Sequence, residues 1–180
     1  MHARPRQLVL FLLASFSIAL APAVSSAVCA EDAPTSLDLV DGDRVVLLGG
    51  TFIERAQRYG WLETALQVRF PNRRIHVRNL GWSADTVFAD SRGIFDAPSK
   101  GYQQMIAQVR DLKPTVILLH YGGNEAFQGT ASIETYQKQY GRLLDDLGPT
   151  DAHLVLLSPL PLMNSGAPLP DPTAQNAVRA

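Results

Sequence analysis

The chain has 180 residues, 46% of them hydrophobic and 18% charged, which suits one globular domain with a real core. A formal net charge of −1 gives no basic stripe and excludes nucleic acid as a partner. The one cysteine, Cys29, excludes a disulfide framework and a cysteine metal site.

Arg4 and Arg6 form a positive start, and Leu8 to Ala21 is an uncharged apolar run. Val28-Cys29-Ala30 before Glu31 is a plausible cleavage site. The pattern predicts a signal peptide over 1–30 and a secreted or periplasmic protein. The competing reading is an uncleaved membrane anchor, for which the apolar run is short. The residues before Cys29 do not form a lipoprotein box, so no lipid anchor is predicted. Cleavage would remove the cysteine and leave no stable membrane span. Residues 31–43 are polar and acidic, and they read as a flexible lead-in.

The domain expected over 44–180 opens with a strand, Arg44 to Leu48. Phe52, Ala56, Tyr59, Leu62, Leu66 and Phe70 recur at spacings of three and four, which predicts one helix stopped by Pro71-Asn72. Arg74 to Leu80 is a second strand. Tyr102, Met105 or Ile106, Val109 and Leu112 mark a second helix that ends before Pro114. Thr115 to His120 is a third strand whose unbroken apolar run predicts burial on both faces. Ile133, Tyr136, Tyr140, Leu143, Leu144 and Leu147 form a third helix, stopped by Gly148-Pro149. His153 to Ser158 is a fourth strand. A proline-rich loop follows, and Asp171-Pro172 reads as an N-cap with proline at the first helical position.

Strands alternating with helices predict an α/β domain: a three-layer α/β/α sandwich around a parallel, flavodoxin-like sheet. Such a sheet normally continues past the fourth strand. The expectation is therefore a domain incomplete at its C-terminus, with the last strand and helix missing.

Three strand ends carry unusual loops: Gly49-Gly50-Thr51, Asn79 to Thr86, and Tyr121-Gly122-Gly123-Asn124-Glu125. In a parallel sheet they emerge on one side, where α/β proteins bind ligands. Thr51 has two local readings. A hydroxyl at a strand end and a helix N-terminus is how a nucleophile would be presented. Thr51-Phe52-Ile53-Glu54 also fits a capping box, in which the hydroxyl turns into the helix end. Asn124 is either a site residue or a helix cap, and Gly81 either a site residue or a turn. Asp85 reads as a loop-stabilising hydrogen bonder. Trp82 and Phe88 either line the crevice or pack beneath the loop. No pair of histidines has metal spacing, so neither a metal nor a cofactor is predicted.

In order, the three loops resemble the blocks of the SGNH hydrolase superfamily, the GDSL-like esterases. Gly49-Gly50-Thr51 stands at Gly-Asp-Ser. Asn79 to Thr86 stands at Asn-x-Gly-x-Ser-Gly-Asp-Thr, with Gly81 as the block glycine and Ala84 replacing a later one. Gly122-Gly123-Asn124-Glu125 stands at Gly-x-Asn-Asp. The resemblance implies an ester hydrolase acting on an acyl ester or an acylated carbohydrate, with Thr51 as nucleophile. It implies an oxyanion hole from the Thr51 N–H, the Gly81 N–H and the Asn124 side chain. Two departures stand out. Threonine replaces serine, and its β-methyl restricts χ1. The fourth block, Asp-x-x-His, does not occur in the 180 residues, and without a base a hydroxyl is barely nucleophilic. His120, beside the third loop, is a weak substitute.

These departures leave a second reading open: a catalytically inactive binding or accessory module on the same fold. A third is a flavodoxin-like cofactor binder with a phosphate on Gly49-Gly50-Thr51. For that the loop is short, and there is no P-loop lysine.

Overall fold

The apolar runs at Val45–Leu48 and Val116–Leu119 become the two central strands of the computed structural model, which describes residues 37–93 and 96–180. The expected signal segment lies outside the described residues. In chain order the elements are β1 (Arg44–Gly49), α1 (Thr51–Tyr59), α2 (Trp61–Arg69), β2 (His76–Asn79), α3 (Pro98–Asp111), β3 (Val116–His120), α4 (Ile133–Leu147), β4 (His153–Leu156) and α5 (Thr173–Arg179). The strands form one parallel sheet in the order β2-β1-β3-β4. This is the strand order of a flavodoxin-like sheet as far as β4.

Alternation along the strands sends side chains to two faces. Val46 and Leu48 of β1 and Ile117 and Leu119 of β3 cluster with Met105 and Val109 of α3 and Leu143 and Leu147 of α4. Val45 and Leu47 point the other way, toward the layer of α1, whose Ile53 is fully buried. Burying one such aliphatic side chain is worth about 1.5–3 kcal/mol. The expected α/β architecture is present.

Some boundaries differ from the expectation. The single helix expected over Phe52–Phe70 is two, because Gly60 adopts φ 64° and ends α1 by donating to Ala56 O at 3.0 Å. Glycine takes that left-handed conformation without a Cβ penalty. In α1 the buried residue is Ile53, while Phe52 and Tyr59 are exposed. Helix α3 starts at Pro98, ahead of its first periodic apolar residue. Proline suits that first turn because its missing N–H would have no intrahelical partner. Helix α5 starts at Thr173, and Asp171 Oδ1 accepts the Thr173 N–H at 2.8 Å.

Part of the expected flexible lead-in is packed. Leu39 is fully buried. Asp43 Oδ2 accepts the Val40 N–H at 2.7 Å, and Asp43 Oδ1 accepts the Thr115 hydroxyl at 2.6 Å. Asp41 pairs with Arg74 at 2.7 Å, and that guanidinium pulls the Asp41 carboxyl down to about 2.

Candidate active site

The carboxyl ends of β1 and β3 come together in register, Gly49 opposite His120. A Cβ on Gly49 would lie 2.4 Å from His120 O, and one on Gly50 would lie 2.6 Å from Asp85 O. Only glycine permits these approaches, and they bring the first and second loops against each other at Thr51.

Thr51 opens α1 without capping it. The Glu54 N–H donates to Gly50 O at 3.1 Å, and no side chain caps this helix. Glu54 instead accepts the Ser83 hydroxyl at 3.1 Å. The capping-box reading is therefore corrected. The Thr51 hydroxyl accepts the Ala84 N–H at 2.7 Å.

Ala84 is the residue that sequence reasoning missed. It holds φ 58°, a left-handed conformation that favours glycine. The signal was its place in the second block, where alanine stands for a glycine. Gly81 differs from its expected role. Its N–H donates to Asn79 Oδ1 at 2.8 Å, so it is not offered to a ligand. Glycine is required there for packing, since a Cβ would sit 2.3 Å from Glu54 N. Gly81 faces an adjacent hollow with Trp82 and Ser83, while Thr51 and Asn124 share another pocket.

Asn124 does not cap the turn that follows it. Its Nδ2 donates to Asp85 O at 2.8 Å, beside Gly50. One Nδ2 hydrogen remains for a ligand. Glu125 is buried and acts as a clamp: Oε1 accepts the Val87 N–H at 2.8 Å and Oε2 the Gly122 N–H at 2.9 Å. This ties the second loop to the third. Asp85 is fully buried, and its Oδ2 accepts Arg92 Nε at 2.7 Å. Arg92 also donates to Leu80 O at 2.6 Å. Burial raises the Asp85 carboxyl above the usual carboxylate range against the opposing pull of Arg92.

The pocket enclosed by these loops measures about 240 Å³. His120 lines it, its ring 4.5 Å from that of Phe52. Burial lowers the His120 pKa, against an opposing backbone hydrogen bond and with Arg179 pushing the same way as burial. Its Nε2 is buried and has no hydrogen-bond partner among the described residues. Leu160, Pro161 and Leu162 form the opposite wall. Asn176 of α5 holds this strap by both amide groups, accepting from Leu162 N at 2.7 Å and donating to Leu162 O at 2.9 Å. Arg179 donates to Leu160 O at 2.7 Å and to Gly123 O at 2.6 Å, joining strap to third loop. Phe88 packs against the core, whereas Trp82 is 42% exposed. Among the described residues no three ligating side chains converge as a metal site, and no helix is long and apolar enough to cross a membrane.

No family model matches the chain, and no curated protein matches it. Solved structures do. A catalytic mutant of Axe2, an acetylxylan esterase from Geobacillus stearothermophilus, matches with TM-score 0.55 and 16% identity, over 79% of this chain and 70% of that one. LAE5, an alpha/beta hydrolase enzyme from the metagenome of Lake Arreo, Spain, matches with TM-score 0.54 and 20% identity, over 78% and 70%. A putative lipolytic protein of G-D-S-L family from Desulfitobacterium hafniense DCB-2 matches with TM-score 0.50 and 19% identity, over 76% and 66%. Of another matched protein, a gut microbial enzyme, this chain spans 34%. Taken with the strand order, the three likenesses at TM-scores of 0.50 to 0.55 show that the chain has the α/β fold of those hydrolases.

Proposed function

We propose that the chain is an exported hydrolase of ester bonds, acting on a small-molecule or carbohydrate ester, with Thr51 as its nucleophile. The observation that carries this reading is the Ala84 N–H held 2.7 Å from the Thr51 hydroxyl at the mouth of a parallel sheet. In this reading Thr51 Oγ1 adds to the acyl carbonyl. The oxyanion takes up hydrogen bonds from the N–H groups of Thr51 and Ala84 and from Asn124 Nδ2. One such donor is typically worth roughly 3–4 kcal/mol of transition-state stabilisation. Collapse expels the alcohol, and water then releases the acid from the acyl-threonine. The Thr51 proton passes to His120, which lines the same pocket with a buried Nε2 that has no hydrogen-bond partner among the described residues, and from there to the departing alcohol. The signal pattern of residues 1–30 supports export.

Turnover of p-nitrophenyl acetate by the full chain tests this. Thr51→Ala should abolish it, Thr51→Ser should preserve it, and a fluorophosphonate should label Thr51. The threonine in the nucleophile's place favours a second reading, an inactive binding module. Absence of both turnover and labelling would overturn the first reading.

A further inference from the structure

Beside the Thr51 pocket lies an open hollow lined by Glu54, Gly81, Trp82, Ser83 and Ser91. We infer that this hollow is a sugar subsite in which Trp82 stacks on a neutral pyranose ring whose acyl group reaches Thr51. The inference rests on the ester-hydrolase reading for its acyl half alone.

An isolated exposed aromatic needs no explanation, but Trp82 is fixed. Its Nε1 donates to Ser91 O at 3.1 Å, and the Arg92 guanidinium lies 5.7 Å from its ring. Arg92 is itself buried and anchored on Asp85. The indole is therefore a rigid plate backed by an immobile cation. A π-face has a negative quadrupole, which suits the weakly positive C–H groups on a pyranose face. The rim supplies the matching polar groups. Glu54 is 35% exposed and takes only the Ser83 hydroxyl and Arg55, so acceptor capacity remains for sugar hydroxyls. Its negative charge disfavours an anionic sugar. A purely aromatic ligand would leave that carboxylate unmatched.

The hollow is also in the right place. Glu54 stands three residues after Thr51, one turn along α1. Ala84, two residues after Trp82, donates to the Thr51 hydroxyl. A second aromatic pair makes a useful contrast. Tyr59 and Trp61 stack at 5.3 Å and are more exposed, at 61% and 72%, but they lie at the junction of α1 and α2, away from Thr51.

The test is titration of the full chain with xylotetraose, read by tryptophan fluorescence and calorimetry, with thermal melting as a check on folding. Saturable binding is expected. Trp82→Ala should weaken it at least about tenfold, and Trp82→Phe should retain part of it. Trp61→Ala should leave it unchanged. Trigalacturonate should bind at least about tenfold more weakly than xylotetraose, and Glu54→Gln should narrow that gap. No saturable binding, or binding untouched by Trp82→Ala, overturns the subsite. Turnover of p-nitrophenyl acetate is scored separately. Sugar binding without turnover removes the hydrolase reading and keeps the subsite. Turnover without sugar binding does the reverse.

Discussion

The two walls of the Thr51 pocket are built by different physics. The inner wall consists of strand-end loops locked to the sheet. Glycines at 49, 50 and 81 let backbones touch, Glu125 clamps two loops, and the Asp85–Arg92 pair is sealed beneath. The outer wall is the strap Leu160–Leu162, with Leu160 54% exposed and the segment tied down by Asn176 and Arg179 of a seven-residue helix. The inner wall fixes the positions of hydrogen-bond donors to within a rotamer. The outer wall is a largely exposed segment held by side-chain hydrogen bonds from α5. Local stability is expected to differ accordingly, since openings draw on regions with few buried contacts.

The comparison breaks most sharply at the ion pair. Asp85→Ala leaves the Arg92 guanidinium buried without its carboxylate, and the expected loss is about 3–5 kcal/mol of unfolding free energy by denaturant titration. Gly81→Ala comes next. Its Cβ meets the backbone of α1 rather than a flexible side chain, so a loss of about 3 kcal/mol is expected, at the upper end of overpacking costs. Asn176→Ala attacks the outer wall. It leaves the Leu162 N–H and C=O unpartnered, at about 1–2 kcal/mol. Hydrogen exchange should accelerate at Leu162 while the amides of Ala84 and Val87 keep their protection. Loss of protection at Ala84 as well would show that the walls are one cooperative unit.

The smallest effect is on pH dependence. The folded His120 pKa lies below 6.5, its unfolded value. Below pH 6.5 the unfolded state therefore binds more protons, and stability falls as the pH drops. The difference in stability between the wild type and His120→Asn should shrink from pH 7 toward pH 5. A difference constant across that range would mean that the ring titrates normally.

The sheet was legible because unbroken apolar runs and helical periodicity report burial directly. The Thr115 and Asp43 contacts were not, since a polar lead-in shows no sign of the long-range partner that orders it. Gly60 was hidden because the apolar spacing of Phe52–Phe70 survives across it. In the site, the three loops were read correctly as neighbours because a parallel sheet sends them to one side. The roles within them depended on backbone conformation, which residue names do not carry. Gly81 drew attention as the glycine, yet Ala84 has the left-handed φ and the N–H that meets Thr51. Asn79 was taken for motif, although its side chain occupies the Gly81 donor.

The bond between the Ala84 N–H and the Thr51 oxygen has one more consequence. A donor kept ready for an incoming oxygen would ordinarily wait empty or be filled by water. Here it waits occupied by the protein's own hydroxyl, so the resting state has no unmatched group at that point and no solvent molecule to evict. Under the proposed mechanism an arriving oxygen would take over an existing hydrogen bond instead of creating one, and the net change would be an exchange of partners. Readiness at this position would then be held as a place already taken, by a group that can step aside.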